Sequence, residues 1–275
     1  MAKSYLSRKW EKKCRLKVKS NNPIGLRLNE LHQSGKKAVA LLIDPDKFGN
    51  QQQLKQVLLK TTHYPLELIL VGGSLMTTRK LNFTIRSIRE MTGGIPIVLF
   101  PGNVIQLSGK ADGILFLSLI SGRNPELLIG QQVVAAPLLS KTNLEVLPTG
   151  YMLVDGGGIT SAHYMSQSIP LPNDKPELAS ATALAGHYLG LEYFYLDTGS
   201  GASQAVSSQL IRAVSKRIDS PLLVGGGIDT SDKAKAAWQA GADIVVIGSR
   251  AEKNPDFLIE VLQYSEMYNL SLNVN

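Results

Sequence analysis

At 275 residues with 44% hydrophobic content, the chain can bury one substantial core, and closed α/β barrels use about 250 residues for a single domain. The net charge of +7 comes from the start of the chain: residues 1–22 hold Lys3, Arg8, Lys9, Lys12, Lys13, Arg15, Lys17 and Lys19 against Glu11, and the rest carries 21 charges of each sign. A balanced body argues against nucleic acid as the partner, no apolar run suits a secretory signal or a membrane span, and the lone Cys14 excludes an internal disulfide and fits a reducing cytoplasm.

In chain order, the basic arm over residues 1–22 reads as a solvated tail, able at most to touch an anionic membrane surface. Residues 23–275 read as one catalytic domain. Pro23–Ser34 has the look of an extra helix placed to cap a barrel bottom. From Ala38 onward, short β-rich runs alternate with amphipathic stretches, with expected strands at Ala38–Ile43, Leu66–Val71, Ile95–Phe100, Gly113–Leu117, Gly150–Val154, Tyr193–Leu196, Leu222–Val224 and Ile244–Ile247. Most of these runs are continuously apolar, as strands buried on both faces must be. Helix starts are marked by Asn124 before Pro125, Ser231 before Asp232, and Asn254 before Pro255. Two segments break the rhythm. Leu99 to Ser108 leaves little room for a third helix, and Gly156 to Pro176 is a long excursion suited to a functional loop with a short helix. The expected fold class is α/β, a modified (β/α)8 TIM barrel with a degenerate third helix and an extra N-terminal helix. An open doubly wound sheet shares the alternation, so the decision passes to the glycines.

Gly225-Gly226-Gly227 follows the seventh strand, and Gly248-Ser249 follows the eighth. These are the positions where such barrels bind phosphate, because glycine lets backbone N–H groups approach the oxygens and the next helix N-terminus adds a favourable dipole. Either turn alone reads equally well as a tight connection. Tyr195-Leu196-Asp197-Thr198-Gly199-Ser200-Gly201 ends the sixth strand and is placed to close the phosphate cup, with Asp197 a candidate to orient or deprotonate a substrate hydroxyl; a turn or cap role for Asp197 stays open. Asp44 ends the first strand and Ser74 follows the second. One carboxylate and one hydroxyl, completed by water and substrate oxygens, suit Mg²⁺, against the alternative that Asp44 caps the next helix. His32, His63, His163 and His187 form no HExxH pair, so zinc is not expected. These features also admit a sugar-phosphate isomerase or cyclase, or a noncatalytic phosphate-binding protein.

Taken as an ordered set, LLIDPDK, LVGGS, LSLISGRNP, YLDTGSG, VGGGI and VIGSR resemble the geranylgeranylglyceryl phosphate synthases and the related bacterial heptaprenylglyceryl phosphate synthases, from about Leu28 to Phe257. The long glycine segment and the loop after Gly156 are more similar to the geranylgeranyl branch. The resemblance implies a prenyltransferase of lipid biosynthesis that joins sn-glycerol 1-phosphate to geranylgeranyl diphosphate, or another polyprenyl diphosphate, with Mg²⁺ assisting loss of pyrophosphate. It implies Asp44 and Ser74 as metal ligands, and Tyr195 through Gly201, Gly226, Gly227, Gly248 and Ser249 as the glycerol phosphate site. It also implies a homo-oligomer. The family often has Glu where this chain has Asp197, and the arm before Pro23 has no counterpart in it. The DDxxD motif of helical prenyltransferases is absent. Phe100, Leu117, Leu119, Ile120 and Tyr164 are the candidate linings for a prenyl groove.

Overall fold

The computed structural model describes residues 22–47, 51–61, 64, 66–248, 250–251 and 254–272, so nearly all of the basic arm lies outside the described residues. Eight parallel strands close into a barrel in chain order: β1 Ala38–Ile43, β2 Leu68–Val71, β3 Ile97–Leu99, β4 Gly113–Leu119, β5 Glu145–Leu153, β6 Tyr193–Asp197, β7 Leu222–Gly225 and β8 Ile244–Ile247. Closure is made by β1 against β8, with Ala38 opposite Ile244 and Leu41 opposite Ile247. The helices are α1 Pro23–Gln33, α2 Gln51–Thr61, α3 Leu81–Thr92, α4 Gln131–Leu139, α5 Ser161–Ser166, α6 Pro176–Tyr188, α7 Ser208–Ser215, α8 Ser231–Ala240 and α9 Pro255–Leu272.

The strands run apolar on both faces because each face has a core to fill. Ala40, Leu68, Leu70, Val98, Leu115, Leu147, Tyr193, Tyr195, Leu223 and Val246 pack inside the barrel, while Val39, Leu41, Ile69, Phe194, Leu196, Val224 and Val245 face the helices. The interior is closed from below by α1. Its apolar positions Ile24, Leu28 and Leu31 fall on one helical face and join the barrel interior, each contributing about 1.5–3 kcal/mol by burial. Proline opens the helix, and the two carboxylate oxygens of Glu145, at the foot of β5, accept the N–H groups of Ile24 (2.9 Å) and Gly25 (2.7 Å). The helix start thus gains a negative partner where its own amides lack one.

The third unit has no α-helix after its strand. Asn103 accepts the N–H of Ile105 at 3.0 Å and opens a single 3-10 turn, Val104–Gln106, after which the chain passes to β4. The excursion after β5 contains the short α5 and returns through a bridge between Val154 and Leu171.

Several boundaries differ from expectation. The second and third strands are shorter at their starts, the third also ends at Leu99, and the fourth continues to Leu119. The fifth begins at Glu145 rather than Gly150, and the sixth and seventh each reach one residue further. The cap of α8 is Thr230, whose hydroxyl accepts the Lys233 N–H at 3.3 Å, while Ser231 donates to Glu260. Asn124 does cap its turn, accepting the Glu126 N–H at 3.1 Å, but a π-helical turn, Glu126–Gly130, precedes α4.

Candidate active site

The C-terminal ends of the strands converge on a polar cavity of about 530 Å³ lined by Asp44, Asp46 and Lys47 after β1, Gly73 and Ser74 after β2, Tyr195 and Asp197 of β6, Ser200 and Gly201 beyond it, Gly226 and Gly227 after β7, and Gly248 and Arg250 after β8. An apolar groove of about 260 Å³ leaves this mouth sideways, where the helix after β3 is absent. Val104, Leu107, Leu115, Leu117, Leu127 and Ala135 form much of its wall. Gly73, Ser74 and Phe100 line both spaces, so polar mouth and apolar groove meet at one point.

The turn after β7 has the positive φ that its glycines suggest. Gly226 has φ +76°, and a Cβ there would lie 2.7 Å from the backbone nitrogens of both Thr198 and Gly199, so the turn accepts glycine alone. Lys233 holds the Gly227 carbonyl at 3.1 Å from below and pairs with Asp229 at 2.8 Å. Beyond the ends of β2 and β3, the buried Gln106 clamps neighbouring loops: its amide donates to the Gly73 carbonyl (2.8 Å) and its oxygen accepts the Gly102 N–H (3.2 Å).

Asp197 sits at the cavity floor and is 6% exposed. Its Oδ2 accepts the Tyr151 hydroxyl and its Oδ1 accepts the Gly199 N–H, both at 2.7 Å. Burial pushes its carboxyl above the ordinary carboxylate range, and the bonds from Tyr151 and Gly199 and the nearby His163 offset only part of that rise. A carboxyl so tuned suits proton acceptance better than an exposed one. Phe100, Tyr151 and Tyr195 pack against one another with ring centroids 5.2–5.7 Å apart. Burial first, and then the adjacent Asp197, raises both tyrosine hydroxyls well above their usual range, so Tyr151 acts as a donor to the carboxylate.

Across the mouth, the Asp44 carboxylate accepts the Asp46 N–H at 3.1 Å and lies 3.4 Å from the Lys47 ammonium. Asp46 is turned away to Thr77 and Thr78, accepting from both hydroxyls and both amides. Burial would raise its pKa, yet these four bonds together lower it.

Of the expected site residues, Asp44, Ser74, Tyr195, Asp197, Ser200, Gly201, Gly226, Gly227 and Gly248 line one cavity. Leu196, Thr198 and Gly199 do not. Leu196 faces the helix layer, because alternate residues of a strand point to opposite faces, and Thr198 is wholly buried beneath the Gly226 turn. Gly199 serves through its amide to Asp197. Ser249 lies outside the described residues. Phe100, Leu117 and Leu119 line the groove as expected. Ile120 and Tyr164 do not: Ile120 inserts between Gly150 and Gly186, and Tyr164 is 77% exposed on α5. Among the described residues no group of three or more His, Cys, Asp and Glu could hold a metal. His32 bonds Asp243, and His163 accepts the Thr160 N–H; His63 lies outside the described residues. Tyr151, Lys47 and Gln106 were not picked out from sequence. Tyr151 carried a signal, an inward-phased aromatic two residues before the end of a strand.

A closed βα barrel with glycine turns after its last two strands, a tuned carboxylate between them and the first, and an apolar side groove defines a phosphate-handling barrel enzyme with room for a hydrocarbon tail. Residues 32–265 match the PcrB family, to which the chain belongs. It is 48% identical to a geranylgeranylglyceryl phosphate synthase of Spirosoma linguale over 89% of this chain and 98% of that protein. It is 36% identical to one of Korarchaeum cryptofilum over 83% and 93%. The crystal structure of (S)-3-O-geranylgeranylglyceryl phosphate synthase from Thermoplasma acidophilum, in complex with sn-glycerol-1-phosphate, superposes with a TM-score of 0.79 at 31% identity, over 86% of this chain and 96% of that one.

Proposed function

We propose that the protein is a geranylgeranylglyceryl phosphate synthase, joining sn-glycerol 1-phosphate to geranylgeranyl diphosphate with release of pyrophosphate. The observation that carries this reading is the meeting of the polar mouth and the apolar groove at Gly73, Ser74 and Phe100. A sugar-phosphate isomerase has no use for such a groove.

The glycerol phosphate binds with its phosphate on the amides of Gly226, Gly227 and Gly248 and its free hydroxyl toward Asp197. The diphosphate lies beside Asp44 and Ser74, and the tail follows the groove. The C3 hydroxyl oxygen attacks the prenyl C1, the C1–O bond to diphosphate breaks with its electron pair leaving on pyrophosphate, and the hydroxyl proton passes to Asp197. The bond from Tyr151 holds the carboxylate for that transfer. Alignment of hydroxyl and C1 in one mouth supplies much of the acceleration.

The residues present fit a magnesium ion. Of the carboxylates lining the cavity, Asp46 is engaged by Thr77 and Thr78 and Asp229 by Lys233; Asp44, near Ser74 at the same mouth, offers the hard oxygens that a cation accompanying two anionic substrates would use. Asp44 and Ser74 would hold Mg²⁺ through hard oxygens, with water and diphosphate completing the shell. When bound, Mg²⁺ neutralises charge building on the leaving pyrophosphate. Incubation with labelled sn-glycerol 1-phosphate, a C15 to C35 panel of prenyl diphosphates and Mg²⁺ tests the reading. The C20 ether is the expected product, lost with chelator, and absence of ether product from every diphosphate would overturn it.

A further inference from the structure

Lys47 connects the two halves of the mouth. It follows β1 on a tight turn, its N–H donating to the Asp44 carbonyl at 3.1 Å. Its ammonium lies 3.4 Å from Asp44 Oδ2 and donates to Ser200 Oγ at 2.9 Å, a hydroxyl 153 residues away on the loop after β6. One cation therefore touches the carboxylate of the diphosphate side and the loop of the phosphate side at once. Its side chain is 43% exposed, and ion pairs in such positions contribute little to stability and exchange readily.

We propose that Lys47 is a charge bridge that couples occupancy of the two anionic subsites. The inference rests on the synthase reading and adds to it a binding residue with a defined energetic role. With Asp44 unliganded, the carboxylate holds the ammonium and withholds part of its charge from an incoming phosphate. A divalent cation on Asp44 repels the ammonium and takes over the carboxylate. The freed ammonium, anchored at Ser200, then turns to the phosphate monoester above Gly226 and Gly227. Filling of the metal-diphosphate side thus tightens glycerol phosphate, and linkage requires the reverse to hold by the same factor. The consequence is that the nucleophile binds best when its reaction partner is already in place.

Calorimetric titration of sn-glycerol 1-phosphate tests this without turnover, using the full chain alone and with Mg²⁺ plus inorganic pyrophosphate. The wild type is expected to bind about tenfold more tightly in the second condition, within the usual range of such couplings. Lys47→Met keeps most of the length of the side chain without its charge and is expected to bring the ratio close to one, and Lys47→Arg to keep a substantial part of it. Thermal unfolding of both variants within a degree or two of wild type establishes that folding is intact. An equal ratio in wild type and Lys47→Met, or no coupling in the wild type, overturns the bridge while leaving the synthase reading standing. Failure of the wild type to bind sn-glycerol 1-phosphate in either condition overturns the synthase reading itself.

Discussion

Replacing Gly226 by alanine isolates what the phosphate turn demands of its backbone. At φ +76° an L-residue is strained by about 1–2 kcal/mol. The new Cβ also meets the backbone nitrogens of Thr198 and Gly199 at 2.7 Å, with the Thr198 hydroxyl closer still. Those nitrogens cannot rotate away, so a further overpacking cost of about 1–3 kcal/mol applies. Gly201→Ala is the internal control: φ is similar at +81°, but nothing lies within 4 Å of the added carbon, and the backbone cost alone is expected. Equilibrium urea unfolding should therefore place Gly226→Ala below Gly201→Ala by about 1–3 kcal/mol. Calorimetry should show weakened binding of sn-glycerol 1-phosphate by Gly226→Ala, because the loop carrying Thr198 and Gly199 has to move. Equal destabilisation of the two variants, or a Gly226→Ala protein that binds as the wild type does, would refute the reasoning.

Asp197→Asn should lower kcat by about 10²–10⁴, the usual contribution of a positioned base, while glycerol phosphate still binds by calorimetry. The raised pKa of Asp197 also sets a sign for stability: the fold favours the protonated form, so this contribution is complete below the ordinary carboxylate pKa and is lost as pH rises through the raised one. Unfolding across that window should show Asp197→Asn gaining on the wild type with rising pH, and the acid limb of wild-type kcat/KM should lie above the ordinary carboxylate range. Ala162→Trp, at the half-buried groove rim, should raise KM for the C20 diphosphate at least several-fold while binding of sn-glycerol 1-phosphate, read by calorimetry, is unchanged. Glu145→Ala removes the acceptor of the two α1 amides and should cost about 1–2 kcal/mol in urea unfolding, as lost caps do, with kcat unaltered.

The first and last strands match their expected limits because an unbroken apolar run ends at Asp44 in one case and Gly248 in the other. The fifth strand outruns its apolar run because Glu145, Pro148 and Thr149 interrupt the pattern although each sits in the strand, Glu145 having a helix start to bind. The positions whose backbone requires glycine were legible, since positive φ and close approach leave a mark in composition. Pairings across the mouth were not. Tyr151 and Asp197 are 46 residues apart and meet because β5 pairs with β6, whereas Lys47 and Ser200 are 153 apart and only the closure of the barrel brings them together. Ile120 follows β4 directly, and only three-dimensional packing turns it away from the groove.

The loss of an α-helix after β3 frees one flank of the barrel, while Leu70 and Val98 remain packed in its interior. On the synthase reading, the hydrocarbon portion is accommodated on the flank and the charged portion at the top. Substitutions along α4 and the 3-10 turn can then lengthen, shorten or bend the tail channel while every group that handles phosphate keeps its place. A lineage built on this plan is free to change the lipid it makes by editing one side wall of the molecule.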